Sequence, residues 1–253
     1  MLSKARIKQI HSLEQKKYRR QEGLFVAEGH KLVGELLMAG HRPVYLCHTK
    51  QWQKPDGAAL PCPTDIVNEA ELRSASLMQN PQQVLALFPL PEWETPEAKA
   101  GTGRLMIALD GVQDPGNLGT ICRLADWFGI DDIVCSAETA DIFNPKAIQA
   151  TMGAIARVKV HYTDLECFLE TASKEKVPVY GTFLDGDNIY ERHLSTNGII
   201  VMGNEGKGIS QRISRFVSER LFIPNYPQDR ITTESLNVAV ATAITCAEFR
   251  RRG

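Results

Sequence analysis

The sequence predicts an α/β protein of two domains, the second built on a mostly parallel sheet. Three observations carry this. Short β-branched runs alternate with amphipathic helical segments from the outset. A stretch without periodicity, PLPEWETPEAKAGTGR from Pro89 onward, interrupts the alternation and reads as a linker. And 253 residues at 43% hydrophobic content can fill the cores of two ordinary domains. The expected boundaries are 1–90, a linker over 91–103, and 104–253.

In order, a basic helix is followed by LFVAEG as a strand, HKLVGELLMAG as an amphipathic helix closed by Gly40, and PVYLCHT as a strand. DIV adds another strand. Asn68 is placed to cap EAELRSAS, and QQVLALFPL completes the first domain. The second opens with RLMIALD, a buried strand, then the turn-forming GVQDPGN and the helix LGTICRLADWFGI, with Asn117 as the expected cap and Gly129 as the stop. DIVCS, a helix entered through Asn144-Pro145, and IARVKVHY as a strand come next. Thr163 to Glu166 has capping-box spacing for DLECFLETASKEK, and VPVYGTF is again a strand. Two further apolar runs, IIVMG and LFIP, enclose the glycine-rich NEGKGIS, and SLN opens a final helix of small residues.

Composition sets limits on function. No run of about 18 apolar residues is present, and MLSKARIKQIH has charge but no apolar core of a signal peptide, so a soluble cytoplasmic protein is expected, with no membrane partner. Six scattered cysteines show neither C-x-x-C nor histidine-paired spacing, so no metal and no disulfide framework are expected. The net charge of −1 gives no global nucleic-acid signature. Lys16, Lys17, Arg19 and Arg20 nevertheless crowd the amino-terminal end, either as a solvated helix face or as an arm for phosphates. Arg250, Arg251 and Arg252 suit a helix carboxyl end.

Several residues have two readings. Gly203 to Gly208 fits neither a P-loop nor G-x-G-x-x-G, and is either a plain strand-to-helix turn or a nucleotide cradle. Arg123 lies off the apolar stripe of its helix, either paired with Asp126 or reaching an anion at the helix mouth. Glu205 is a solvated acid or an orienting group, and Ser235 and Asn237 are caps or ligand contacts.

Taken together, Asn117-Leu118-Gly119-x-x-x-Arg123, Gly203-Asn204-Glu205-Gly206-x-Gly208 and Ser235-Leu236-Asn237-Val238-Ala239-Val240-Ala241 resemble the three ordered motifs of the SpoU (TrmH-like) RNA 2′-O-methyltransferases of the SPOUT superfamily. KAIQATMGAIARVKV is similar to that family too, and FVAEGHKLVGELL resembles its L30e-like substrate-binding domain. The resemblance implies a carboxy-terminal trefoil knot, S-adenosylmethionine as cofactor, and a homodimer in which Arg123 serves the neighbouring subunit. It implies functional roles for Asn117, Arg123, Glu205, Ser235 and Asn237, cofactor contacts at Thr182, Gly203, Ile223 and Leu236, and rRNA or tRNA as the methyl acceptor, held in part by Lys16, Lys17, Arg19 and Arg20. The stretch PNYPQDRITTE before Ser235 is longer than the family's usual loop, and Asn225 stands where Met is common. A non-catalytic RNA-binding relative and a different nucleotide enzyme on a doubly wound sheet are the competing expectations.

Overall fold

The computed structural model describes residues 2–227, 230–231, 233 and 235–251. They gather into two compact units, Met1–Glu92 with Asp141–Arg157, and Trp93–Ala140 with Val158–Gly253. Segment Asp141–Arg157, expected in the second domain, packs with the first unit.

The first unit begins with α1 (Lys4–Ser12) and α2 (Lys16–Glu22), two short helices where one was expected. β1 (Leu24–Glu28), α3 (His30–Met38), β2 (Tyr45–His48), β3 (Thr64–Ile66), α4 (Glu69–Ala75) and β4 (Val84–Pro89) follow. The sheet order is β1-β4-β2-β3, antiparallel except between β2 and β3. Asn68 caps α4 as its spacing predicts, accepting from the Glu71 amide at 2.9 Å while Glu71 accepts from the Asn68 amide at 3.1 Å. Ile10, Leu13, Val26, Leu72, Leu85 and Leu87 lie in one core cluster.

Arg19 departs from expectation. It is 2% exposed, on the inward face of α2, whereas Lys16, Lys17 and Arg20 are exposed. Its guanidinium donates to the carbonyls of Leu13 and Glu14 at 2.7 and 2.6 Å and to Asp141 Oδ2 at 2.7 Å. Arg19 is therefore a structural residue that ties segment Asp141–Arg157 to the first unit, and it leaves the set of cations available to phosphate.

The second unit opens with β5 (Leu105–Asp110), α5 (Pro115–Trp127) and β6 (Asp132–Cys135). Two caps differ from expectation. Asp114, not Asn117, caps α5, accepting from the Asn117 amide at 2.9 Å, because Pro115 with its fixed φ suits the first helical position. Asp164, not Thr163, caps the later helix α7, because the Thr163 amide is still spent on the Cys135 carbonyl beside the sheet.

Between these lies the segment of the first unit. It carries α6 (Pro145–Ala150) and a 3₁₀ turn, Ala154–Ala156, reached through positive φ at Met152 and Gly153. Those dihedrals break the strand expected over IARVKVHY, so β7 is only Lys159–Tyr162. Gly153 is required, since a Cβ there would lie 2.6 Å from Glu35 Cγ.

The remaining elements are α7 (Leu165–Lys174), β8 (Val179–Asn188), β9 (Gly198–Gly203), α8 (Gln211–Ser214), β10 (Glu219–Phe222) and α9 (Val238–Arg251). The six-stranded sheet runs β10-β8-β9-β5-β6-β7 and is parallel throughout, which is why β5, β6 and β9 are buried along their whole length. α9 packs on α5 and β9. Arg250 fastens it by donating to the carbonyls of Phe128 and Gly129 at 2.7 and 3.0 Å, and Arg251 pairs with Glu248 at 2.8 Å. Arg252 lies outside the described residues.

Replacing Arg19 with Met leaves Asp141 and two carbonyls unpaired, so we expect a loss of about 3 kcal/mol of stability, read from the shift of the urea unfolding midpoint. An unchanged midpoint would show that the pair does not hold the segment.

Candidate active site

Loops that follow parallel strands gather at the carboxyl ends of those strands, and the site is built there. β5 and β9 pair in register up to Asp110 opposite Gly203. Beyond Gly203 the chain turns back on itself, with amide-to-carbonyl bonds between Asn204 and Gly208 of 3.0 and 2.9 Å. Only glycine fits at 203, because a Cβ would stand 2.2 Å from the Gly208 carbonyl carbon. Gly208 has φ of +67°, which allows the return. The glycine-rich stretch is thus a tight turn whose backbone stays bare.

Asn204 organises that turn. Its side chain donates to the Gly111 carbonyl at 2.7 Å and accepts from the amides of Gly206 and Lys207 at 3.0 and 3.1 Å. Asp110, 6% exposed, accepts from the Ser210 amide at 2.7 Å. Neither residue received a role from the sequence. Their partners across the sheet end, Gly111 and Ser210, stand 93 and 100 positions away, and the available signal was only that each adjoins a strand end and a glycine.

Glu205 reaches from this turn to the start of α5. Its carboxylate accepts from the amides of Gln113 and Asp114, both at 3.2 Å, and from Asn117 Nδ2 at 3.1 Å. Asn117 Oδ1 in turn accepts from Asn237 Nδ2 at 3.0 Å. Asn237 Oδ1 accepts from the amides of Ala239 and Val240 at 3.0 and 3.3 Å, so it also caps α9. One chain of hydrogen bonds therefore joins the three sequence motifs. Burial opposes ionisation of Glu205, but the bonds from Asn117 and from the backbone amides outweigh it and hold the carboxyl below its usual 4.5.

Beside the turn lies a cavity of about 460 Å³. Thr182, Gly203, Ile223 and Leu236 line it, as do Glu205 and Ser235. Met202, Ile209 and Phe222 add apolar wall, and Thr182 Oγ1 lies 3.8 Å from Met202 Sδ. Asn117, Arg123 and Asn237 are not part of that lining. Arg123 is exposed on α5 and has no ion pair or side-chain hydrogen bond among the described residues, so the pairing with Asp126 is not formed. In the preceding loop Asn225 Nδ2 donates to the Arg230 carbonyl at 2.9 Å, while Gln228, Asp229, Thr232 and Glu234 lie outside the described residues.

The profile of the SpoU rRNA Methylase family matches residues 104–247, and the chain belongs to that family. An MRM3-like substrate binding domain matches residues 4–86. Among curated relatives, the chain is 31% identical over 246 residues to the 23S rRNA (guanosine(2553)-2′-O)-methyltransferase RlmP of Bacillus subtilis, covering 97% of this chain and 96% of that one. Among solved structures, a TrmH-family protein from Porphyromonas gingivalis superposes with a TM-score of 0.87 at 40% identity over the whole of both chains. An AdoMet-bound rRNA methyltransferase from Sinorhizobium meliloti superposes with a TM-score of 0.84 at 30% identity, covering 100% and 96%.

An acid whose folded pKa is depressed contributes stability above its unfolded pKa and loses it as pH falls through the folded value. The turn should therefore stay pinned to α5 at neutral pH and release only below the ordinary glutamate range. The amide resonances of Gln113 and Asp114, followed through acid titration, check this. They should move together below pH 4.5 and be flat in Glu205→Gln; a transition at the ordinary value would remove the network as the cause.

Proposed function

We propose that this protein transfers a methyl group from S-adenosylmethionine to a ribose 2′-hydroxyl of rRNA. The observation that carries the reading is the hydrogen-bond chain Glu205–Asn117–Asn237 beside a cavity walled by the bare Gly203 turn. Family membership supports it, as does the rRNA specificity of the Bacillus subtilis relative.

The cavity fits the cofactor. A Cβ at Gly203 would collide with the Gly208 backbone, so the turn stays narrow on that wall, and Ile223 and Leu236 line the cavity with Met202, Ile209 and Phe222, suited to an adenosine with a polar tail. When bound, S-adenosylmethionine supplies a sulfonium methyl for in-line displacement. The protein's task is alignment and handling of the 2′-hydroxyl proton. Glu205, Asn117 and Asn237 hold the two helix starts and the turn in fixed relation, with Ser235 at the cavity rim. Arg123 clamps a phosphate of the target and polarises the 2′-hydroxyl, while the hydroxyl proton passes to water or another group, since a guanidinium in a protein keeps its own proton.

We further propose a homodimer. Arg123 is exposed and does not line the cavity of its own chain, and Trp127, four residues on, is 84% exposed on the same helix, with Val240 of α9 48% exposed. Such a surface suits a second copy that receives Arg123 at its own cavity. The trefoil threading implied by the family resemblance fits the strand order and the return of α9 onto α5 and β9. A cytoplasmic location suits the free cysteines.

Label transfer from S-adenosylmethionine to rRNA lacking its ribose methyl groups tests the activity. The expected product is an alkali-resistant dinucleotide; cofactor binding without transfer would favour a non-catalytic relative. Arg123→Ala and Gly203→Ala, each inactive alone, should regain about a quarter of wild-type activity when refolded together at equal amounts, because half the dimers then hold one intact composite site. With the Gly203→Ala chain shown by circular dichroism to be folded and the mixed dimer shown to form, no recovery would place Arg123 in its own subunit's reaction.

The exposed Lys16, Lys17 and Arg20 support a phosphate-binding role for α2. Neutralising all three should weaken RNA binding and reduce the slope of log affinity against log salt by up to about 2–3. An unchanged slope would remove α2 from the RNA footprint.

A further inference from the structure

The first unit contains a cavity of its own, of about 390 Å³, on which the mechanism makes no demand. Four segments enclose it: Glu14 between α1 and α2, the end of β1, residues 77–79 after α4, and residues 144–149 of the returning segment. Val26, Leu77, Met78, Pro145 and Ile148 make apolar walls, and the charged lining residues are Glu14, Glu28 and Lys146.

Glu28 is the unusual member. It is 4% exposed, yet it lines the cavity with a carboxylate. One oxygen accepts from the Leu77 amide at 2.8 Å and the other from Ser76 Oγ, whose oxygen also accepts from the Met78 amide at 3.0 Å. Gln149 fixes the same strand end by donating to the Glu28 carbonyl at 2.7 Å. A carboxylate offers roughly four acceptor sites and these bonds use two, so each oxygen keeps capacity for one more donor. Burying a carboxylate is costly unless donors meet it, and burial does push the Glu28 carboxyl up.

A partner for this cavity must carry apolar faces for its walls and must present N–H donors to a carboxylate. A phosphate is disfavoured, because two carboxylates, Glu14 and Glu28, line the cavity against the single ammonium of Lys146. Among RNA bases, guanine alone presents two adjacent donors on one edge, N1–H and the N2 amine. Adenine and cytosine place an acceptor beside their amine, and uracil offers a single N–H between two carbonyls. Unstacked bases are the usual objects of sequence recognition in RNA, taken between apolar side chains and read along that edge.

We propose that the cavity lined by Glu28, Met78 and Ile148 is a base-reading pocket for an unstacked guanine of the RNA, with the Glu28 carboxylate accepting from N1–H and the N2 amine. This rests on the RNA reading above, and it assigns the first unit a sequence-reading role besides electrostatic attachment.

The test is nucleoside binding to the full chain, followed by the methyl resonances of Met78 and Ile148. Guanosine should shift both. Inosine, which lacks the N2 amine, should bind roughly tenfold more weakly, as loss of a hydrogen bond to a charged group predicts, and adenosine more weakly still. Glu28→Gln should abolish the preference for guanosine over adenosine, and Met78→Ala should weaken guanosine without changing the ranking. If Glu28→Gln does not fold, the ranking of the three nucleosides on the wild-type chain decides alone. Equal binding of the three, or no shift at Met78 and Ile148 with guanosine, overturns the proposal. Because the readout involves neither cofactor nor transfer, its failure beside an active enzyme condemns only the base pocket, and its success beside an inactive one leaves the pocket standing.

Discussion

The site depends on the carboxylate of Glu205. Two backbone amides at the entry to α5 and the Asn117 side chain converge on it, and through Asn117 the start of α9 is drawn into the same arrangement. No regular secondary structure fixes a turn after one strand against a helix that follows another. A single acid that accepts three hydrogen bonds does so, and those bonds are strong because the acceptor is charged. The three motifs are thus parts of one hydrogen-bonded object, not neighbours that happen to share a cavity.

Beneath that acid lies a steric constraint. The turn after β9 approaches itself so closely at Gly203 and Gly208 that the backbone is its own packing partner, with Asn204 replacing the side chains the glycines lack. A bare backbone at the end of a parallel strand is what permits a small ligand to come close, and the buried strands β5 and β9 supply the rigid base from which it projects. Specific chemistry at the rim then comes from side chains carried on loops and helix starts.

Much of this was legible in the sequence because it is local. The capping box of Asn68 and Glu71, the Asn144-Pro145 entry and the buried run IIVMG each follow from residues within a few positions of one another. The ordered motifs also marked Asn117, Glu205 and Asn237, although their mutual bonds span 88 and 120 residues and could not be derived from spacing. What failed was tertiary. Arg19 reads as one more cation in a basic run until Asp141, 122 positions on, meets it in the interior. The first half of the strand expected over IARVKVHY is lost for a backbone reason, the positive φ at Met152 and Gly153, while Lys159–Tyr162 does form a strand.

The excursion Asp141–Arg157 also bears on how the chain is made. During synthesis from the amino end, the first unit is not complete when the linker emerges, since Asp141, Gln149 and Gly153, which meet Arg19, Glu28 and Glu35, come only after β5, α5 and β6 of the second unit. The leading unit must wait with its strand end open and the Arg19 guanidinium short of its carboxylate while two of the six strands of another sheet are laid down. Domains made in a row close one after the other; these two are laced, so neither can be secured before the other has begun, and a protein cut at the apparent linker would leave the first unit without the piece that seals it.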